Sequence, residues 1–402
     1  MADGTLPRVS SYPPSNIAPP TTLRQRLAGL RGPAVPPRPL DARALAALAA
    51  NPGCGRRALL DGAGVDKTAL ATALGSPASF GQSQFAIVRG NSFEAKVKGD
   101  GGAELLRLVH AHLAAATEPP GPGARVPDLT AAGPEGRAAR TALALREATA
   151  AGLETGAWTL LDHPMLALEV AGSPAYLEPD AVVVHPDGRW TVVEIKSFPM
   201  IDGAADAAKV GAAARQAAVY VLALEKTAAK LPGAEVGHTV LLVCPKDFSN
   251  LPTASPVDIR RERSVTRRQL DRLTRVEELA AALPEGLSFD PATRTAEELV
   301  EAVSAVDAAY APECLAACEL AFHCRDRARA DDSVTALGRS VRGELGALTT
   351  VGAALAAASG TGCSEDPTAA ALLRAARLRA EALEPAAARP PHHVPETPAC
   401  PC

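Results

Sequence analysis

Residues 176–220 read YLEPDAVVVHPDGRWTVVEIKSFPMIDGAADAAKVGAAARQAAVY, and their pattern decides the class of fold. Two apolar runs, AYLEPDAVVV and WTVVEIK, flank His185-Pro-Asp-Gly188, whose residues favour a tight turn, so a β-hairpin is expected. Asp206 to Leu231 is Ala-rich and reads as a helix, and HTVLLVC (238–244) reads as a buried strand. Upstream, a helix is expected at about 135–151, followed by strand-like AWTLL and MLALEV. Helix, antiparallel strands, helix and strand in that order predict an α/β sandwich with a mixed sheet.

Charges interrupt these apolar runs at three places. Asp180 stands at the mouth of AVVV, and Glu194 and Lys196 lie two apart in VVEIK, so they share one strand face. Buried charge is costly unless paired or metal-bound. An ordinary surface hairpin is the competing reading. Converging carboxylates are what Mg²⁺ or Mn²⁺ needs, since both prefer hard oxygen ligands. Such a cation neutralises a scissile phosphate and acidifies water, and an adjacent Lys orients the nucleophile or stabilises the crowded phosphate. Gln216 and Tyr220 lie four apart on the following helix and share a face. Lys209 lies on that face as well and is expected to be solvated.

Asp180, then Glu194-Ile195-Lys196, then Gln216-x-x-x-Tyr220 resembles the PD-(D/E)XK nuclease superfamily, in its RecB-like branch. The resemblance implies a restriction-endonuclease-like core with a mixed central β-sheet flanked by helices. It also implies divalent-metal phosphodiester hydrolysis by Asp180, Glu194, Lys196, Gln216 and Tyr220. The metal ligands would be Asp180, Glu194 and a residue on an earlier helix. Glu94, in Gly90-Asn-Ser-Phe-Glu94, is the expected third ligand, with His110 and His112 as rivals.

Eight cysteines occur, at 54, 244, 314, 318, 324, 363, 400 and 402. A reducing compartment favours metal binding over disulfides for any cluster of them. Cys314, Cys318 and Cys324 form a tight triplet, one ligand short of a zinc or [4Fe–4S] site. One Cys before the core (Cys54) and three after it is similar to the iron–sulfur RecB-like nucleases, the CRISPR-associated exonucleases and AddB-type subunits. That resemblance implies a [4Fe–4S] cluster on Cys54, Cys314, Cys318 and Cys324, stapling the N- and C-terminal segments together. The first gap of the triplet holds three residues where many members have two, which leaves zinc as the alternative. His323 is expected to be an uninvolved neighbour and Cys244 a core residue; nothing is assigned to Cys363, Cys400 or Cys402.

The organisation expected is a disordered Pro-rich arm (1–40) with at most a short helix near Leu23–Leu30, an N-terminal helical segment (41–84) and a nuclease core (85–250) with a loop insertion at 117–136. A basic helical and Cys-triplet region (251–332) and an Ala-rich helical segment with a disordered tail (333–402) complete it. Net charge is −4, so any nucleic-acid affinity must be local. Residues 259–275 carry seven Arg against two acidic residues, and Arg260, Arg261, Arg263, Arg267 and Arg268 are the expected phosphate contacts. A solvated, salt-bridged helix face is the bland alternative. Aromatics amount to 3%, with Trp158, Trp190 and Phe198 near the core, so sequence-specific readout is not expected. By resemblance the substrate is DNA, single-stranded or with frayed ends. The competing function is a non-catalytic iron–sulfur or zinc DNA-binding subunit. No GxxxxGK[ST] motif occurs, so unwinding would need a helicase partner, within repair or defence. The first residues lack a basic-then-apolar leader pattern and no run reaches 18 apolar residues, so a cytoplasmic protein with no membrane partner is expected.

Overall fold

The computed structural model describes residues 22–77, 84–121, 124–247, 249–273, 275–311, 314–332, 334, 339–361 and 366–384. In chain order, four helices come first: α1 (Leu23–Arg31), α2 (Ala42–Ala50), α3 (Gly55–Ala63) and α4 (Lys67–Ala73). Three longer ones follow, α5 (Gln84–Val97), α6 (Gly99–Leu113) and α7 (Gly133–Thr155). Strands β1 (Thr159–Asp162), β2 (Leu166–Val170), β3 (Ser173–Leu177), β4 (Ala181–Val184) and β5 (Arg189–Ile195) then lead to α8 (Ala207–Ala228). After it come β6 (Glu235–Val236), β7 (Thr239–Pro245), β8 (Pro252–Asp258) and α9 (Arg260–Leu270). Helices α10 (Val276–Ala281), α11 (Ala296–Ser304), α12 (Cys314–Ala317) and α13 (Ala321–Ala330) follow, then α14 (Arg339–Glu344), α15 (Val351–Ser359) and α16 (Pro367–Leu383).

The fold is α/β, with a mixed central sheet ordered β1-β4-β5-β7-β8 and flanked by helices. β1, β4 and β5 run antiparallel in turn, β5 and β7 are parallel, and β8 closes the edge antiparallel to β7. Parallel neighbours need a crossover, and α8 supplies it. Alternation along the strands sorts the core into two layers. Val182, Val184, Trp190 and Val192 pack toward α7 and α8, while Val183, Val193, Leu241 and Val243 pack toward α5 and α6. The His185–Gly188 turn forms as expected, Gly188 N–H donating to the His185 carbonyl at 3.0 Å. Only glycine suits its last position, because φ is +81° and a Cβ would lie 2.3 Å from the Gly233 carbonyl oxygen.

Three expectations need correction. AYLEPDAVVV is not one strand but two, because β3 pairs with β2 in a separate hairpin and β4 joins the central sheet. The break falls at Glu178-Pro179-Asp180, where Pro179 has no N–H for a ladder and Asp180 turns off the strand. β8 was not anticipated, because Pro252 and Pro256 argue against a strand; both are tolerated on this edge. In residues 22–40 the short helix allowed for near Leu23–Leu30 forms, but the segment is packed against the core and is not a free arm. α1 is capped by a Thr22–Gln25 capping box, and Leu30 is fully buried with Phe289, Leu299 and Val303. Arg26 donates to the carbonyls of Leu283 and Pro284 at 2.7 and 2.8 Å, fastening α1 to the C-terminal half. A second core, built jointly from α1, α3, α4, α10 and α11, therefore sits beside the sheet. Residues 1–21, 362–365 and 385–402, and with them Cys363, Cys400 and Cys402, lie outside the described residues.

Candidate functional site

Pairing of Ala181 with Val193 across β4 and β5 sets Asp180, one residue earlier, alongside Glu194, one residue later. Asp180 is fixed there because the Ile195 N–H donates to its Oδ2 at 2.6 Å. Lys196 leans back over both carboxylates, its Nζ 3.3 Å from Asp180 Oδ2 and 2.5 Å from Glu194 Oε2. Glu194 is 1% exposed. The ammonium pairs with it as a charge, and among the described residues neither of its carboxylate oxygens has a partner that meets hydrogen-bond geometry. Burial pushes the Glu194 carboxyl up to about 7, with Lys196 opposing and the Asp180 charge adding. Burial works against the Lys196 cation too, but Glu194 and Asp180 outweigh it and hold that cation above its ordinary range. The pair thus favours the lysine's charge without compensating the carboxylate's loss of water.

α8 brings Gln216 and Tyr220 to the same end of the sheet. Tyr220 donates to the Glu178 carbonyl at 3.1 Å and receives a hydrogen bond from Gln216 Nε2 at 2.9 Å. Burial, then the charges of Glu194 and Asp180, keep its hydroxyl protonated well above the ordinary range. Gln216 therefore acts on the site through Tyr220. Lys209 is exposed and lies over the Phe198 ring, 5.7 Å from its centroid.

Glu94 lies on α5, one turn after Gly90, which packs against Ser197 just beyond Lys196. Its Oε1 is 2.5 Å from Lys98 Nζ and 3.0 Å from His163 Nε2. His163 first, with burial opposing and Lys98 assisting, holds the Glu94 carboxyl down at about 2. Lys98 also reaches Asp162 at 2.6 Å. Among the described residues no hydrogen bond or ion pair joins Glu94 to Asp180 or Glu194; His163 is the link. Its N–H donates to the Asp180 carbonyl at 3.4 Å. His163 was not singled out in the sequence. Its signal was Asp162-His163-Pro164, a polar pair ending an apolar strand, with His163 at φ +44°. His110, by contrast, bonds the Thr117 carbonyl at 2.9 Å and stands edge-on to Trp158, and His112 is exposed. A cleft of 510 Å³, walled by Pro127, Leu129, Arg137, Asp162 and His163, opens on this side.

His163→Ala is expected to weaken divalent-cation affinity about 10–100-fold, as loss of a ligand-orienting neighbour does. Calorimetric Mn²⁺ titration of the variant checks this, and unchanged affinity removes His163 from the site. The sign of the pH effect at Glu94 follows from its lowered carboxyl. The stability it contributes is present above about 4.5 and is lost as pH falls through about 2.

Of the four cysteines singled out in the sequence, Cys318 belongs to the second core and Cys314 and Cys324 pack against it. Cys54 precedes α3, Cys314 opens α12, Cys318 follows α12 and Cys324 lies in α13. All four are free thiols. Burial pushes the Cys314, Cys318 and Cys324 thiols up, and ionisation of a neighbouring cysteine of the four would push each further. Burial pushes the Cys318 thiol up to about 12, with Arg57 pulling the other way. Asn51 Nδ2 donates to Cys314 Sγ at 3.4 Å and Arg56 Nη1 to Cys324 Sγ at 3.3 Å. His323 is buried next to Cys324, its Nε2 without a partner. Cys244 is buried in β7 as a core residue. Among the described residues no three His, Cys, Asp or Glu side chains already stand at metal-ligand spacing.

The arginines of α9 are largely engaged within the chain. Arg263 and Arg267 pair with Glu225 of α8 at 2.5 and 2.7 Å, and Arg260 pairs with Asp258. Arg261 and Arg268 are exposed, and among the described residues neither has an ion pair. A larger cleft of 660 Å³, lined from the starts of α2 and α4, from α3 and from the end of α12, holds Arg38, Arg57 and Lys67. Their charges are paired with Asp66 and Asp61, while Arg43 on the same rim is exposed. Among the described residues no helix is long and apolar enough to cross a membrane.

No protein-family model and no curated protein matches the chain. Among solved structures it is similar to the "Putative exonuclease" of Eubacterium rectale, at 12% identity and a TM-score of 0.30, over 60% of this chain and 82% of that one. A likeness that coarse assigns no residue a role.

Proposed function

We propose that this chain is a divalent-metal-dependent deoxyribonuclease of the PD-(D/E)XK, RecB-like kind, cutting single-stranded or frayed DNA ends. The observation that carries the reading is the junction of Asp180, Glu194 and Lys196, in which both oxygens of a fully buried carboxylate lack hydrogen-bond partners. Buried acceptors left in that state fit a hard cation better than they fit a structural role. Asp180 and Glu194 would hold Mg²⁺ or Mn²⁺, with Glu94 or its neighbour His163 as the third side. When bound, the cation supplies charge neutralisation at the phosphate and acidifies water. Lys196, kept cationic, places a positive charge where the crowded phosphate gains negative charge. Tyr220, kept protonated, braces the Glu178 carbonyl just before Pro179-Asp180 and so steadies Asp180. Arg261 and Arg268 are the α9 residues open to a DNA backbone, and a helicase partner would supply unwinding.

The reading of the cysteine centre rests on the chemistry of its donor set: four free thiols, Cys54 and Cys318 buried and Cys314 and Cys324 half-buried, are the soft donors a four-thiolate group takes. We read it as a [4Fe–4S] site that staples α3 to α12 and α13. The decisive experiment is degradation of end-labelled single-stranded DNA in Mn²⁺ by the wild type and by Asp180→Ala. Activity is expected in the wild type and a loss of about 10³-fold or more in the variant. Equal degradation by both, or none by a metal- and cluster-loaded wild type, overturns the nuclease reading of this site.

A further inference from the structure

We propose that Arg56 and Asn51 are positioning residues of the cysteine centre, donating to the sulfurs of Cys324 and Cys314 and thereby raising the reduction potential of the cluster those cysteines hold. The inference rests on the iron–sulfur reading above and adds what sets the cluster's electronic properties.

Arg56 is 9% exposed, yet its guanidinium pairs with no carboxylate among the described residues. It is anchored by two bonds to the Val306 carbonyl, from Nε at 3.2 Å and Nη2 at 3.1 Å, which leaves Nη1 aimed at Cys324 Sγ. A buried cation without a carboxylate needs another source of negative charge. The thiolates of a four-cysteine centre are that source. Asn51 is held likewise, its Nδ2 shared between the Ala309 carbonyl at 2.5 Å and Cys314 Sγ. Arg57, whose charge Asp61 already shares, faces Cys318 and adds a weaker field from a second side. Hydrogen bonds to the sulfurs and nearby positive charge stabilise the more negative, reduced form of an iron–sulfur centre, which moves its potential upward.

The test is a dithionite titration of the anaerobically purified full chain, with iron and sulfide counted and the reduced signal followed by paramagnetic resonance. One electron from dithionite takes the cluster from its 2+ to its 1+ state. Arg56→Gln is expected to lower the reduced-to-oxidised ratio about tenfold at a fixed solution potential, a shift of ~59 mV for one electron. Arg56→Lys, which keeps the charge, is expected to recover most of it. Asn51→Ala keeps both arginines and is expected to shift the potential in the same direction by less; it decides the matter if Arg56→Gln does not fold. An iron-loaded wild type whose potential is the same in Arg56→Gln and Asn51→Ala overturns the proposal alone. A wild type carrying zinc and no iron overturns the cluster reading and this proposal together.

Discussion

Glu194→Gln is expected to abolish metal-dependent cleavage, by about 10³-fold or more, and at the same time to make the metal-free protein more stable at pH 8 by about 3 kcal/mol. The two effects have one cause. Glu194 is 1% exposed and its carboxyl titrates at about 7, against an ordinary value of 4.5. Below 4.5 the group is protonated in both folded and unfolded chains and has no effect. As pH rises from 4.5 toward 7 the unfolded chain ionises first, so the folded state loses stability. Above 7 the loss is complete, about 2.5 pH units at ~1.36 kcal/mol each. Gln has no charge to desolvate and escapes this cost, but it cannot ligate a cation as a carboxylate does. Urea unfolding in EDTA at pH 4 and pH 8 reads the difference. Equal stability of the two proteins at pH 8 would show that Glu194 carries no such strain.

Asp61→Ala is expected to cost about 3–5 kcal/mol, the usual consequence of leaving buried charge without its partner. Asp61 is 5% exposed and accepts from both Arg57, at Nε 3.1 Å, and Lys67. Arg57 in turn donates to the Ala317 carbonyl, one residue before Cys318. Lys67 keeps only Glu319, at 3.8 Å, once Asp61 is gone. Two cations would stay behind in the second core, and α3 would lose its hold on the cysteine segment. Urea unfolding measures the loss, and faster reaction of the thiols with a disulfide reagent measures the loosening. A change under about 1 kcal/mol with unaltered thiol reactivity would place the load elsewhere.

The residues legible in the sequence are those related by short-range geometry. A strand period of two set Glu194 and Lys196 on one face, and a helical turn set Gln216 under Tyr220. Asp180 was legible as a charge at the mouth of AVVV, but the strand break at Pro179 that turns it off the ladder was not. Glu94 was found on its helix, but its partners Lys98 and His163 were not, since His163 comes from another element 69 residues later. The α9 arginines show the converse. Their charge was plain, but whether it faced phosphate or carboxylate depended on Glu225, an acceptor some 40 residues upstream on α8.

The sequence by itself determined the α/β class, the hairpin, the crossover helix and the carboxylate–lysine pair at its strand ends. Each of those follows from periodicity and turn chemistry acting over a few residues. Only the tertiary structure decided that Leu30 belongs to a core completed by Phe289, that Arg56 reaches Cys324, and that His163 stands between Glu94 and Asp180. The physical reason is that burial and pairing energies depend on which distant segment arrives. A guanidinium or an imidazole looks the same in sequence whether its partner is water, a carboxylate or a sulfur.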